Sequence, residues 1–202
     1  MLRIGITGGI GSGKSSAVAL FKQYGASIID SDAIARKIVQ PYEPAYEKIV
    51  SHFSPLILDK EKNIDRKKLR QIIFENNDEK KWLESLLHPL IRQEIKKQCE
   101  HVKTAYVIID IPLLNDPKDF PYLDRILVID CPEKLQLERI TQRDNISQIE
   151  AKRMIHAQIS RQQRNAFADD YMLNDTKDFN ALKVAIQKLH ECYSNYSLKE
   201  NR

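Results

Sequence analysis

Near its amino terminus the chain reads Ile4-Gly5-Ile6-Thr7-Gly8-Gly9-Ile10-Gly11-Ser12-Gly13-Lys14-Ser15. An apolar run leads into closely spaced glycines, and a lysine and a serine follow the last glycine at once. This order predicts a β-strand, a phosphate-binding loop and the first turn of a helix, the arrangement known as a Walker A P-loop. Glycines let backbone N–H groups converge on an anion, and the amino end of a helix adds partial positive charge at the same point.

The residues that close this loop indicate which anion it binds. An ordinary glycine-rich turn would not need Lys14 and Ser15 directly after its last glycine. In a P-loop the lysine reaches the β- and γ-phosphates, and the hydroxyl binds magnesium. The sequence therefore predicts a nucleoside triphosphate site in which Lys14 contacts phosphate and Ser15 contacts Mg²⁺.

Length and composition limit the class of protein. With 202 residues the chain is long enough for one well-buried domain with small insertions. No run approaches the ~20 apolar residues of a membrane span, and the first strand begins so early that we expect no signal peptide and a cytoplasmic location. Cys99, Cys131 and Cys192 are widely spaced and odd in number, so we expect reduced, mostly structural thiols.

The charge balance suits an anionic ligand without pointing to nucleic acid. The net charge is +4, and basic residues gather at Arg66-Lys67-Lys68 and Arg70. Acidic and apolar residues are interspersed there without a series of aromatic residues, which favours a solvated helix face over a nucleic-acid surface. We therefore expect a small-molecule substrate, no nucleic-acid or membrane partner, and a monomer or weak homo-oligomer.

Four further apolar runs predict a parallel sheet. They lie at 27–30, 105–110, 125–130 and 171–173, and helical patterns separate them. Near-continuous apolar strands that alternate with helices are typical of a sheet covered on both faces, whose ligands bind beyond the carboxyl ends of the strands. The predicted fold class is α/β, with a five-stranded parallel sheet flanked by helices.

The stretch from Ser31 to about His101 reads as helical and predicts an inserted helical subdomain. Within it we expect Pro89 either to kink a helix or to start a new one. The adjacent His88 is consistent with a hydrogen bond to substrate or with packing inside the insertion, and packing is favoured because no partner is visible.

Acidic residues follow several of the predicted strands. Asp32 could orient or deprotonate an acceptor hydroxyl, although Asp30 or Asp32 could equally serve only to cap the next helix. Asp110 ends the third strand, where a carboxylate commonly organises magnesium through water; its alternative role is to cap the following loop. Asp130 has the same position on the next strand and receives less weight.

Two pairs of arginines indicate a lid that closes over the phosphates of a bound nucleotide. Arg139 and Arg143 stand four residues apart, and Arg161 and Arg164 stand three apart, so each pair can point the same way. Such arginines would close over a triphosphate and stabilise charge in the transition state, and Arg143 is the best candidate. An exposed, salt-bridged helix face explains each arginine equally well.

Taken together, these segments resemble the dephospho-coenzyme A kinase family over nearly the whole chain. The resemblance is carried by the loop from Ile6 to Ser15, by 29–32 with Ala35-Arg36, by Leu87-His88-Pro89-Leu90-Ile91, and by Asp110-Ile111-Pro112-Leu113-Leu114. Later segments agree in order, from Gln136 to Arg139, at Gln142-Arg143-Asp144, at Ala157-Gln158 with Arg161, and from Ala168 to Asn174.

The resemblance implies a P-loop kinase fold and transfer of the γ-phosphoryl group of ATP to the ribose 3′-hydroxyl of dephospho-coenzyme A. It implies a nucleotide-binding core at 1–32, 102–135 and 166–202, a CoA-binding insertion at 33–101 and a lid at 136–165. The ATP and Mg²⁺ residues would be Gly11, Ser12, Gly13, Lys14, Ser15, Ser16, Arg139, Asn174 near the adenine, and Asp110 through water. The acceptor residues would be Asp32, Arg36, His88 and Pro112, with Asp32, Lys14 and Arg143 as the catalytic set.

One segment departs from the family pattern. Asn115-Asp116-Pro117 stands where an apolar residue and a glutamate usually follow Pro-Leu-Leu. Two other readings also remain open. One is a small P-loop kinase that acts on a nucleoside, a nucleoside monophosphate or another metabolite. The other is a nucleotide-gated switch, although the guanine-reading Asn-Lys-x-Asp is absent from the chain.

Overall fold

The computed structural model describes residues 1–176 and 178–199. The chain divides into two compact units. We call Met1–Asp30 with Cys99–Arg202 the sheet unit, and Ser31–Gln98 the helical unit.

The sheet unit is built on five parallel strands. They are β1 (Leu2–Gly8), β2 (Ser27–Asp30), β3 (Tyr106–Asp110), β4 (Arg125–Asp130) and β5 (Asp170–Leu173). Their order across the sheet is β2-β3-β1-β4-β5, and every pairing is parallel. The predicted five-stranded parallel sheet is confirmed, and β1, which leads into the glycine loop, lies at its centre.

Nine α-helices lie within the described residues. They are α1 (Lys14–Gln23), α2 (Ser31–Lys37), α3 (Pro44–Phe53), α4 (Arg66–Glu75), α5 (Asn77–Glu100), α6 (Glu133–Asp144), α7 (Gln148–His156), α8 (Arg161–Ala166) and α9 (Phe179–Lys199). Short 3₁₀ turns cover Pro55–Ile57 and Pro117–Asp119.

The core of the sheet unit joins strand side chains to α1 and α9. Phe21 of α1, Tyr106 of β3 and Tyr193 of α9 are nearly inaccessible to solvent. Their ring centroids lie 5.6–6.3 Å apart. Aromatic side chains carry a large apolar area, so this trio fixes both helices against the strands that position the loop.

The helical unit has its own core. Ile49 of α3, Ile57, Ile64 and Leu83 of α5 are buried together. Of the two alternatives for Pro89, the structure excludes the start of a new helix, because α5 runs through it as a single helix. Buried Leu83 before the proline and buried Ile95 after it anchor both halves, which offsets the hydrogen bond that proline cannot make.

In the described part of the chain, no helix is long and apolar enough to cross a membrane. The three cysteines are free thiols, with Cys99 and Cys131 buried and Cys192 exposed.

Candidate active site

The glycine loop connects β1 to α1, and two of its glycines have a left-handed backbone. Gly11 has φ +75° and Gly13 has φ +93°. Gly13 is also the residue that caps α1. A Cβ atom on Gly13 would lie 2.3 Å from Nδ2 of Asn174, so both backbone geometry and space require glycine there.

The outer side of this loop is held by side chains from distant parts of the sequence. Gln136 Nε2 donates to Ile10 O at 2.7 Å, Arg139 Nη1 donates to Gly11 O at 3.2 Å, and Asn174 Nδ2 donates to Ser12 O at 2.7 Å. Three consecutive carbonyl groups are thereby turned away from the inside of the loop. At the start of α1 the N–H groups of residues 14–16 have no partner among the described residues and are available to an anion, whereas that of Ala17 donates to Gly13 O at 3.0 Å.

Arg139 also links the loop to the connection between β5 and α9. Its Nη2 donates to Thr176 O at 2.8 Å, and its Nη1 lies 3.3 Å from Cys131 Sγ. The guanidinium of Arg139 therefore contacts backbone carbonyls. Asn174 is buried beside the loop and is not exposed to solvent. Their contact with a nucleotide remains a prediction.

Lys14 forms an ion pair with Asp110 at the carboxyl edge of the sheet. Asp110 ends β3 and is the register partner of Ile6 on β1. The side chains of Lys14 and Asp110 are 14% and 16% exposed. An ion pair shielded to this degree is screened less by salt than a surface pair.

The serines of the loop differ in exposure. Ser15 and Ser16 are exposed in the first turn of α1. Ser12 is 1% exposed, and no partner for its hydroxyl lies within the described chain. Ser15 and Ser16 therefore present hydroxyl groups to solvent, whereas Ser12 contributes through its backbone.

Asp130, which received less weight in the sequence analysis, forms a buried polar cluster at this edge of the sheet. Its side chain is 2% exposed and accepts from Arg161 Nε at 2.8 Å and from Tyr171 OH at 2.5 Å. Burial opposes ionisation, but the hydrogen bonds from Arg161, Tyr171 and Asn165 prevail and hold the pKa of Asp130 below its usual value. The cluster ties the start of α8 to the end of β4.

The remaining arginines of α6 and α8 have contrasting surroundings. Arg143 is exposed and makes a two-pronged pair with Asp144 at 2.7 and 2.8 Å. Arg164 is 7% exposed and donates to Ile159 O at 2.9 Å. Burial lowers the pKa of Arg164, and a Cβ atom on Gly9 would lie 3.1 Å from its Nη1. Of these two arginines, Arg164 lies beside the loop and Arg143 does not.

Two glutamines of the predicted lid also contact the loop. Gln136 holds the carbonyl of Ile10, and Gln158 Oε1 accepts from the N–H of Ile10 at 2.9 Å. Sequence reasoning gave neither of them a contact with the loop. The position of Gln136 one turn before Arg139 on the same helix was the available signal.

In the helical unit, Asp32 lies exposed in the first turn of α2. Within residues 1–176 and 178–199 its carboxylate has no hydrogen-bond or ion-pair partner, so capping by Asp32 finds no support. Asp32 and Arg36 line a cavity of about 310 Å³. The carboxylate is therefore presented to a space in which an acceptor could lie.

The other predicted acceptor residues are less enclosed. His88 is exposed on α5, so the expectation that it packs inside the insertion was wrong. Pro112 is half-buried at the start of the connection between β3 and β4. Asp116, in the segment that departs from the family pattern, accepts from Lys118 N at 2.9 Å and thus caps a 3₁₀ turn.

A central strand that leads into a P-loop, within a parallel sheet of this order, defines a P-loop kinase fold. Residues 2–179 match the family described as Dephospho-CoA kinase (CoaE). The chain belongs to the dephospho-CoA kinase family and is a kinase.

Relatives and solved structures agree with this assignment. The dephospho-CoA kinase of Coxiella burnetii is 44% identical, over 94% of this chain and 96% of that protein. That of Idiomarina loihiensis is 43% identical, over 94% of both chains. The structure of dephospho-CoA kinase from Campylobacter jejuni is 33% identical, with a TM-score of 0.72 over 96% of this chain and 97% of that one. Shikimate kinase from Bacteroides thetaiotaomicron, at 16% identity and a TM-score of 0.53 over 95% and 97%, shares the fold.

Proposed function

We propose that the protein transfers the γ-phosphoryl group of ATP to the ribose 3′-hydroxyl of dephospho-coenzyme A, giving coenzyme A and ADP. This is the final step of coenzyme A synthesis. The observation that carries the proposal is a complete P-loop, held from outside by Gln136, Arg139 and Asn174, in a chain that matches the family over residues 2–179. The cytoplasm, where ATP is available, is the proposed location.

ATP binding rests on the backbone of residues 11–16 and on Lys14. The loop offers N–H groups at a helix amino end, where negative charge is favoured. Lys14 would exchange Asp110 for the triphosphate, since both are anionic and the pair lies directly beside the loop. Arg139 and Asn174 would serve the nucleotide by holding the loop in shape.

The residues at this edge fit a magnesium ion. Ser15 supplies an exposed hydroxyl and Asp110 a carboxylate, and hard oxygen ligands of this kind suit Mg²⁺. In the described part of the chain no cluster of three or more His, Cys, Asp or Glu side chains could hold a metal. The protein would thus supply few ligands, as Mg²⁺ sites that share substrate phosphates do. The bound ion would supply positive charge at the phosphate oxygens.

Most of the proposed acceptor residues lie in the helical unit. Asp32 would orient the attacking hydroxyl or take its proton, because its carboxylate is exposed and without a partner in the part of the chain that the structure describes. Arg36, His88 and Pro112 complete the proposed acceptor residues, and 33–101 is the proposed CoA-binding insertion.

Charge that develops on the transferred group would be met by Lys14 and by arginines of the proposed lid, 136–165. Arg143 would have to leave Asp144 to reach phosphate, and its 60% exposed side chain leaves it room to move. Arg164 is already beside Gly9.

A substrate panel tests the proposal. ADP release would be coupled to a spectroscopic readout with dephospho-coenzyme A, adenosine, AMP or no acceptor. We expect kcat/KM to be highest for dephospho-coenzyme A and ADP release to be slow without acceptor. A preference for adenosine or AMP would overturn the substrate assignment, and equal hydrolysis without acceptor would indicate a nucleotide switch.

A further inference from the structure

We propose that Arg66, together with Arg36, binds the diphosphate of the acceptor and that Arg66 makes the enzyme selective for acceptors that carry this group. The inference deepens the proposed function and rests on it. Its first support is position: Arg66 lies on an exposed helix face, as predicted, and it also lines two cavities of the helical unit.

The two cavities are contiguous, since they share Arg36, Val39, Ile64 and Arg66. One has a volume of about 520 Å³ and is lined by both polar and apolar surface. The other has a volume of about 310 Å³, includes Asp32 and has apolar walls. The two arginines therefore lie where a cavity of mixed lining meets a mostly apolar one.

The acidic groups of the larger cavity are already engaged by backbone. Asp59 Oδ1 accepts from Glu61 N at 3.0 Å and Asn63 N at 2.8 Å. Asp65 Oδ1 accepts from Lys67 N at 3.0 Å and Lys68 N at 3.1 Å, which caps α4.

Arg66 itself is not neutralised by these acids. Across the residues that the structure describes, its guanidinium has no ion-pair or hydrogen-bond partner. The cavity thus presents a cation without a counter-ion from the protein. A guanidinium fork matches phosphate oxygens in geometry as well as charge.

The spacing of Asp32 and Arg36 along α2 indicates that the anion bound here is the diphosphate of the acceptor. Asp32 and Arg36 are four residues apart, so their Cβ atoms lie about 5–6 Å apart on one face of the helix. In a nucleotide with a free 3′-hydroxyl, the hydroxyl and the 5′-diphosphate lie on either side of one ribose ring. A hydroxyl at Asp32 therefore brings the diphosphate to Arg36 and Arg66. The apolar wall, which includes Ile49, Leu69 and Leu87, is left for the uncharged part of the acceptor.

The test compares Arg66→Gln with Arg70→Gln in the full-length protein. Arg70 is exposed on the same helix and lines neither cavity. Because a charged hydrogen bond to phosphate would be lost, we expect KM for dephospho-coenzyme A to rise about tenfold to a hundredfold in Arg66→Gln. KM for ATP should not change, and kcat should stay within about threefold.

A second readout separates diphosphate binding from a structural effect. Activity with adenosine, which has the hydroxyl but no diphosphate, should be equal in Arg66→Gln and the wild type. Added salt should raise KM for dephospho-coenzyme A less in Arg66→Gln than in the wild type. Equal KM values in Arg66→Gln and Arg70→Gln, or parallel losses with both acceptors, would overturn the inference. Failure of the wild type to phosphorylate dephospho-coenzyme A would instead overturn the proposed function.

Discussion

The ammonium group of Lys14 lies against the carboxylate of Asp110, and both side chains are largely shielded from water. A cation held in this way is oriented before a triphosphate arrives. We propose that Lys14 moves to phosphate when the nucleotide binds, and that Asp110 would then face magnesium or its waters. One ion pair thus connects the two roles that the sequence assigned separately to these residues.

Lys14→Met should test this arrangement. Loss of a cation aimed at the transferring phosphate should lower kcat/KM on the order of a hundredfold or more. Lys22→Met is a matched control, because Lys22 is exposed in the last turn of the same helix. Steady-state kinetics check the prediction, and equal rates for the two variants would contradict it.

Asp32→Asn should separate binding from chemistry. The variant keeps the size of the side chain but cannot accept a proton, so kcat should fall by about a hundredfold to ten-thousandfold. ATP affinity, measured by calorimetry, should be unchanged because Asp32 is assigned to the acceptor. Asp78→Asn removes another exposed acid from a first helical turn and should leave kcat intact. Near-normal turnover in Asp32→Asn would contradict a role for Asp32 in the reaction.

At the scale of elements, the loop between β1 and α1 is shaped by its neighbours as much as by its own glycines. Helix α6 supplies Gln136 and Arg139, and the segment after β5 supplies Asn174. These contacts span 126 or more positions in sequence. The apolar runs of the strands and the glycine pattern predicted the loop, but no local pattern states which carbonyl a distant side chain will bind.

Asn174→Ala removes one of these supports. The nearly buried Asn174 would no longer donate to Ser12 O, so the loop should loosen and KM for ATP should rise about tenfold. Hydrogen exchange at residues 9–13 should quicken while exchange in β3 stays the same. Asn180→Ala, at an exposed position of α9, is the control. Unchanged exchange in the loop would contradict a supporting role for Asn174.

The tie between β4 and α8 should make stability depend on pH. The folded state holds the pKa of Asp130 below the usual 3.8. The ionised carboxylate therefore contributes its full share to the free energy of unfolding above pH 3.8, and this share is lost as pH falls through the pKa of the folded state. Asp130→Asn should cost about 2–3 kcal/mol near pH 7, because Arg161 and Tyr171 lose a buried acceptor.

The difference between wild type and Asp130→Asn should shrink below about pH 4. Urea unfolding of both proteins at pH 7 and in acid measures this difference in the free energy of unfolding. Asp144→Asn, which alters an exposed pair, should show little difference at either pH. A difference for Asp130→Asn that stays constant into acid would contradict the assignment.

At the scale of the whole molecule, the sequence predicted the α/β class, the five parallel strands and the family correctly. Runs such as 105–109 are apolar throughout, as is typical of a sheet covered on both faces, and that signal is local. It left open whether the helix would continue through Pro89 or a new one would start there, since packing on both sides of the proline decides this. It predicted correctly that Arg66 is solvated, but composition did not reveal that this residue also borders a cavity.

The central claim is that one phosphoryl group moves from ATP to the ribose 3′-oxygen of dephospho-coenzyme A. It is tested most directly by tracing label from γ-³²P-ATP in a single-turnover reaction with the wild-type protein. We predict that label appears in coenzyme A, at the 3′-phosphate, in equal amount to the ADP formed. Label recovered as inorganic phosphate, or at any other position of the acceptor, would contradict the account.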